Sequence, residues 1–263
     1  MKIVNRQPTG TANISSARDS TGKEFWKILL SAALLLITLY FVIGMIVGFI
    51  VPRISFETEA KIFKHFKLPA AKKQGKVAHT QLEKARAIMY KLKSSPKVPV
   101  LPYHLVLIEN EMPNAFAFPG GTIGMTTGLL DALDEEIELA FVLGHELGHF
   151  YNRDHLQGIG RAIGFKIIIS YVFDGGSGAD SFADIFEFVL QRGYSQDREK
   201  EADFYGLELV FAAYGKTDGV DRLFQILRNE STPEWAYMFS THPSPRKRIN
   251  DLKSYAAALQ SKE

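Results

Sequence analysis

The segment His145–His149 has the residue types and the spacing of a metal-dependent hydrolase. On a helix, the four-residue separation turns both imidazoles to one side, where they can bind one zinc ion. Glu146 follows the first histidine, so its carboxylate can reach a water at that ion and act as a general base. The alternative is a buried helix with two hydrogen-bonded histidines, but burial of these polar groups among apolar residues is costly without a neutralising partner. We therefore predict a zinc site.

A catalytic zinc site needs a third protein ligand, and two residues compete for that place. His155 lies six residues after His149, which is the spacing of metzincins. Asn152 stands where the metzincin pattern has glycine, and asparagine tolerates the left-handed turn needed there. The spacing therefore keeps His155 open as a ligand.

Glu199 is the second candidate and lies on a predicted helix further along the chain. Asp203 follows four residues later and shares its helix face. Glu199 would bind the metal, and Asp203 would accept the N–H of a ligating imidazole, which we expect to be His145. The competing interpretation of this segment is a solvated, charged helix face.

Four segments together resemble one known family. They are PNAFAFPGGTIGMTTGLL at 113–130, VLGHELGHF at 142–150, the Glu-x-x-x-Asp of 199–203 within SQDREKEADFYGLEL, and Thr-His-Pro-Ser-Pro at 241–245 leading to Arg248 and Ile249. They resemble metallopeptidase family 48, the gluzincin group of HtpX, type I CAAX prenyl proteases, BepA and LoiP. The similarity covers roughly residues 78–255.

The resemblance implies a role for each matching residue. It places zinc ligands at His145, His149 and Glu199, with the general base at Glu146. One zinc ion per chain is the implied cofactor, and the implied activity is that of a zinc metalloendopeptidase.

The resemblance also implies how a substrate binds. The segment around Asn114 and Ala115 would be an edge strand that holds an extended polypeptide through backbone hydrogen bonds. His242 resembles a histidine near the zinc, which would either cover the metal in a resting state or stabilise the tetrahedral intermediate. A capping or surface role before a proline-rich turn is the alternative for His242. Many members have Arg-His after the second zinc histidine, whereas this chain has Arg-Asp-His at 153–155, so no role is transferred there.

The N-terminal region predicts a membrane anchor. Residues 28–51 contain no charged side chain. As a helix they would extend roughly 36 Å, enough to cross a hydrocarbon layer of about 30 Å. The run is longer than the core of a signal peptide and is followed by no small-residue cleavage site. The basic N-terminal tail favours a cytoplasmic tail and a periplasmic catalytic domain, in a single-pass protein of the bacterial inner membrane.

Composition limits the other partners. The chain contains no cysteine, which excludes disulfide frameworks, cysteine-bound metals and a cysteine nucleophile. Residues 53–97 are strongly basic, and residues 98–263 are acidic. The acidic part would repel phosphates, so we predict contact of the basic stretch with the lipid bilayer and no nucleic acid. The oligomeric state is not encoded in any pattern that we identify.

The fold class follows from the periodicity of the remaining chain. The pattern predicts a mostly α protein with a small β-sheet (α+β) behind one transmembrane helix, and the resemblance implies that the domain is a gluzincin peptidase. Thr80–Glu83 predicts a helix start, 103–109 and 122–126 predict strands, and Asp134 predicts the cap of the helix that carries His145. The predicted organisation is a tail at 1–27, an anchor at 28–51, a basic linker at 52–77 and a peptidase domain at 78–263.

The predicted function is endopeptidase hydrolysis of misfolded or membrane-associated proteins, as in protein quality control. An aminopeptidase would need a carboxylate for the free substrate amine, and the sequence has no G-x-M-E-N element. A membrane-tethered assembly factor or holdase with a closed zinc site is the alternative. Glu146 argues against that alternative, since binding alone needs no general base.

Overall fold

The computed structural model describes residues 14–64, 76–173, 193–220, 222–223, 242 and 245–261. The predicted class, mostly helical with one small sheet, is confirmed. The described helices are α1 (Ile14–Ile50), α2 (Phe56–Phe63), α3 (Lys76–Lys93), α4 (Thr127–Ala132), α5 (Glu136–Tyr151), α6 (Asp154–Phe173), α7 (Gln196–Tyr214) and α8 (Pro245–Gln260). The strands are β1 (His104–Ile108), β2 (Ala115–Phe118) and β3 (Thr122–Thr126).

Helix α1 and the turn after it contain the candidate membrane span. The segment Gly22–Arg53 is long and apolar enough to cross a bilayer, and it includes the predicted anchor at 28–51. Large apolar side chains such as Leu30, Phe41 and Met45 are exposed along it. A soluble helix would bury such residues, so their exposure is that expected of a helix surrounded by lipid.

The three strands form one sheet with the order β1-β3-β2. Strand β1 pairs with β3 in parallel, and β2 pairs with β3 as an antiparallel hairpin. Gly120 and Gly121 form the hairpin turn with φ angles of 82° and 87°, a conformation that residues with a side chain rarely adopt. This order places β2 at one edge of the sheet.

Helix α5 is the central element of the domain, with residues 137–150 buried. Apolar residues occupy every side of the helix, and it packs against α3, α7 and β2. Its cap is Glu135 and not Asp134, which corrects the prediction by one residue. The Glu138 carboxylate accepts the backbone N–H groups of Glu135 at 3.0 Å and of Asp134 at 3.1 Å, which fixes this start.

Helix α3 begins before the start predicted at Thr80. It extends back to Lys76, so the Thr80–Glu83 pattern lies inside the helix and does not cap it. Glu83 pairs with Arg86 on the helix surface. The apolar face that the sequence predicts is buried against the core, and it contains Leu82, Ala85, Met89 and Leu92.

Small residues bring α5 and α7 unusually close. A Cβ atom built on Gly148 would lie 2.7 Å from Ala202 Cα, and one built on Gly206 would lie 2.7 Å from His145 N. Real Cβ atoms do not approach backbone atoms this closely, so the helices could not keep this separation with larger residues. We call this contact, formed by Gly144, Gly148, Ala202 and Gly206, the glycine seam. It places the face of α7 that carries Glu199 directly against the histidines of α5.

Candidate metal centre

Four side chains from three parts of the chain meet in one buried cluster. They are His145 and His149 of α5, Glu199 of α7, and His242. One potential ligand atom from each lies within 4.8 Å of the others. We call this set the ligand cluster.

The spacing inside the ligand cluster fits a zinc ion. His145 Nε2 is 3.1 Å from His149 Nε2. Glu199 Oε1 is 3.4 Å from His149 Nε2, and Glu199 Oε2 is 3.6 Å from His145 Nε2. Tetrahedral ligands at about 2.0–2.1 Å from zinc are about 3.3–3.4 Å from each other. These three residues therefore have the separation and the donor types of a catalytic zinc site.

Two aspartates orient the histidines. The Nδ1 atom of His145 lies 2.9 Å from Asp203 Oδ1, and that of His149 lies 3.0 Å from Asp154 Oδ2. A carboxylate accepts a hydrogen bond from Nδ1–H, which keeps the proton on Nδ1 and leaves the lone pair of Nε2 for a metal. The two Nε2 lone pairs consequently point toward each other, an arrangement that a cation between them stabilises.

Burial and charge act in opposite directions on the two histidines. Burial lowers the pKa of His145, against the hydrogen bond to Asp203. Burial would also lower the pKa of His149, but hydrogen bonds to Asp154 and Glu199 raise it to about 10. A histidine binds zinc only as the neutral imidazole, so a proton on His149 competes with the metal.

Arg248 stabilises the acidic side of the ligand cluster. Its guanidinium contacts Asp203 through Nε at 2.7 Å and Nη2 at 2.6 Å, and Glu199 Oε2 through Nη1 at 2.7 Å. Burial opposes ionisation of Glu199, but His242, His149 and Arg248 hold the pKa of this carboxyl well below its usual range. Glu199 is therefore present as the carboxylate that zinc requires.

Glu146 lies beside the ligand cluster and is not part of it. Its Oε1 is 3.8 Å from His242 Nε2, and the residue is 1% exposed. Within the described part of the chain, Glu146 Oε2 has no hydrogen-bond partner. A buried carboxylate oxygen of this kind is suited to bind a water molecule and accept its proton.

His242 lies at the fourth corner of the site. Its Nδ1 is 3.2 Å from His145 Nε2 and 3.0 Å from Glu199 Oε1. Its Nε2 is 3.4 Å from the carbonyl oxygen of Ala115 on β2. Through His242 the ligand cluster thus contacts the edge strand. Residues 241, 243 and 244 lie outside the described part of the chain.

The two residues expected to bind substrate differ in their backbone contacts. Asn114 pairs with Thr126 through two hydrogen bonds. The Thr126 N–H donates to the Asn114 carbonyl oxygen at 3.0 Å, and the Asn114 N–H donates to Thr126 Oγ1 at 2.8 Å. Backbone groups alternate in direction along a strand, so those of Ala115 and Ala117 point away from β3. The outer edge of β2 is therefore formed by Ala115 and Ala117.

His155 lies away from the ligand cluster. Its Nε2 is 2.8 Å from Glu59 Oε1, and its Nδ1 is 3.2 Å from the carbonyl oxygen of His149. Both ring nitrogens face these oxygens, so neither is directed at a metal. The geometry favours Glu199 over His155 as the third ligand.

Three residues of the site were not among the predicted ones. In the sequence, Asp154 and Arg248 have no spacing that marks them as site residues. Arg248 stands out only as part of the family motif that begins at residue 241. Tyr194 stacks on His149 with ring centroids 4.0 Å apart, and burial raises its pKa. An aromatic residue just before a helix carries no signal of such a contact.

The chain is similar to known peptidases over most of the domain that holds this site. A family model described as Peptidase family M48 matches residues 78–256. The chain is 33% identical over 146 residues to the mitochondrial metalloendopeptidase OMA1 of Arabidopsis thaliana, which covers 54% of this chain and 30% of that protein. It is 28% identical over 175 residues to the beta-barrel assembly-enhancing protease of Yersinia pestis, and this match covers 60% of this chain and 35% of that protein.

A third relative matches over a longer stretch. The protease HtpX homolog of Methanopyrus kandleri is 28% identical over 223 residues, which covers 68% of this chain and 69% of that protein. By contrast, the chain spans only about a third of the length of the OMA1 and beta-barrel assembly-enhancing proteins. The similarity is thus to the metallopeptidase part of these larger proteins.

Proposed function

Because this chain belongs to peptidase family M48 and is a metallopeptidase, we propose that it is a membrane-anchored zinc endopeptidase that cleaves misfolded or membrane-associated proteins. The observation that carries the proposal is the position of Glu146. Its carboxylate is buried beside three residues with zinc-ligand spacing. A binding protein has no use for a buried general base at that point, because an unpartnered buried carboxylate is costly.

The reaction depends on groups that the chain holds in place. When bound, zinc supplies a Lewis acid that polarises a carbonyl group and makes water more acidic. Glu146 takes the proton of the attacking water and returns it to the nitrogen of the leaving amine. The ligand residues keep their orientation, because the aspartates and Arg248 brace them.

Strand β2 supports an extended polypeptide as the substrate. The outward backbone groups of Ala115 and Ala117 can pair with a substrate strand at the edge of the sheet. Such pairing reads the backbone and requires an unfolded segment, since folded proteins keep their backbone groups paired. Misfolded proteins offer such segments, which supports a role in quality control.

Casein cleavage tests the proposed activity, because casein is an unfolded protein. The full chain in detergent should cleave it internally, and a zinc chelator should stop the reaction. Added zinc should restore it. A metal-loaded chain that leaves casein intact would support the holdase alternative, and release of single N-terminal residues would support an aminopeptidase.

The proposed topology has the catalytic domain in the periplasm. We expect the full chain to stay in bacterial membranes under alkaline carbonate, because Gly22–Arg53 is long enough to span them. Protease added to intact spheroplasts should digest the domain that follows the span. A domain that is protected in spheroplasts and digested only after lysis would reverse this orientation.

We propose that His242 closes the resting site. Its Nδ1 has ligand-like distances to His145 and Glu199, and its ring contacts Ala115 O on the substrate strand. His242→Ala should therefore raise casein cleavage and broaden its specificity, with one zinc ion still bound. Initial rates on casein and on a set of peptides measure both effects.

The alternative role of His242 predicts the opposite result. A donor to the developing oxyanion would be lost in His242→Ala, and kcat would fall by roughly 10²- to 10³-fold with zinc content unchanged. Wild-type rate and specificity in this variant would contradict both roles.

A further inference from the structure

A buried carboxylate lies just after the membrane span, outside the region matched by the family model. Glu59 is on helix α2 and is 0% exposed. It accepts hydrogen bonds from His155 Nε2 at 2.8 Å and from the Gly120 N–H at 2.9 Å, and it forms an ion pair with Arg153. The family match begins at residue 78, so it does not include this glutamate. Within the predicted linker at 52–77, α2 thus contributes a charged group to the interior of the domain.

Arg153 connects the same helix to the turn between α5 and α6. It has a φ angle of 62°, and it is the only residue other than glycine with a positive φ in the described part of the chain. This conformation is unfavourable for a residue with a long side chain and must be held by its surroundings. The guanidinium donates to Ile54 O and lies 3.9 Å from the centre of the Phe56 ring, in addition to its pair with Glu59. Residues 54–59 therefore hold this turn.

The turn ends at Asp154, the residue that binds the zinc-ligand candidate His149. Asp154 accepts the hydrogen bond from His149 Nδ1 at 3.0 Å, and His155 Nδ1 lies 3.2 Å from the carbonyl oxygen of His149. Arg153 and His155 on either side of Asp154 both bind Glu59. Glu59 thus contacts both sequence neighbours of the carboxylate that binds His149.

We propose that Glu59 is a positioning residue for the metal centre, which acts through the Arg153–His155 turn to orient Asp154 and thereby His149. This inference rests on the zinc site of the proposed function. It adds that the helix adjoining the membrane span forms part of the support of that site. Zinc affinity then depends on a segment outside the matched peptidase region.

The test compares two glutamates of the same helix. Glu59→Gln keeps the shape of the side chain and removes the charge that pairs with Arg153. We expect the full chain in detergent to bind zinc roughly 10- to 100-fold more weakly, which is the usual loss when an outer partner of a ligand is removed. Glu57→Gln is the matched control, because Glu57 is 78% exposed and pairs only with Lys61 in the described part of the chain. The zinc affinity of the Glu57→Gln chain, measured by competition with a chromogenic chelator, should equal that of the wild-type chain.

A double-mutant cycle separates positioning from general stability. If Glu59 acts through Asp154, Glu59→Gln should weaken zinc binding much less in an Asp154→Asn background than in wild type. Full additivity of the two losses, or wild-type zinc affinity in Glu59→Gln, would overturn the proposal. His155→Ala, which removes one of the three donors to Glu59, provides a second variant if Glu59→Gln does not fold. This variant should also weaken zinc binding, and an unchanged zinc affinity of His155→Ala would count against the proposal.

These measurements do not depend on proteolysis. A wild-type chain that binds zinc and leaves casein intact would refute the proposed function while the affinity series still tests Glu59. A wild-type chain that binds no zinc would refute both.

Discussion

Glu146→Gln should reduce casein cleavage by about 10²- to 10⁴-fold while zinc binding stays at the wild-type level. The amide has nearly the same shape as the carboxylate but cannot take a proton from water. Glu146 also lies outside the ligand cluster, so its loss should not affect metal content. Single-turnover cleavage of casein and zinc quantification on the same sample measure the two properties together.

A surface glutamate provides the control for this change. Glu83→Gln alters an exposed side chain that pairs with Arg86, and it should leave the rate unchanged. The Glu146→Gln chain should also retain uncleaved substrates, and their identification would name the natural clients. Cleavage at the wild-type rate would show that another group accepts the proton.

Glu199→Ala should lose most of its zinc and, with it, activity. The side chain supplies the only carboxylate among the four candidate ligands of the described chain, and its neighbours Arg248 and His242 would each lose one negative partner. The loss of zinc affinity should exceed the roughly 10- to 100-fold that follows removal of an outer partner. Metal content after dialysis against a weak chelator gives the measurement.

His155→Ala distinguishes the two candidates for the third ligand. This variant should keep one zinc ion per chain at saturating metal, because the ring faces Glu59 and the His149 carbonyl group. Loss of stoichiometric zinc in His155→Ala, with retention in Glu199→Ala, would assign the site to the metzincin type.

Local spacing explains why part of the site could be predicted. His145 and His149 are one helical turn apart, so their common direction follows from helix geometry alone. Glu199 and Asp203 have the same relation on α7. Which two helix faces meet is decided by the glycine seam, so residue types and spacing leave both His155 and Glu199 open as the third ligand, and the family resemblance favours Glu199.

Contacts between distant segments explain what could not be predicted. Glu59 belongs to a short helix in a lysine-rich stretch, and its composition resembles that of a solvated linker. Its burial depends on Arg153 and His155, which are far away in the chain. In the same way, Glu138 accepts two backbone N–H groups, which makes Glu135 the cap of α5. The general preference of helix caps for aspartate points to Asp134 instead.

The contacts of Arg248 make the metal site depend on a residue that is synthesised after its ligands. Ribosomes extend a chain from its N-terminus, and Arg248 follows every other residue of the ligand cluster and its supports. A nascent chain that extends just past Asp203 has His145 and His149 but lacks the guanidinium that neutralises the carboxylates of Glu199 and Asp203. Repulsion between those carboxylates would then oppose closure of the site. A chain whose synthesis has not reached Arg248 therefore holds an incomplete metal site.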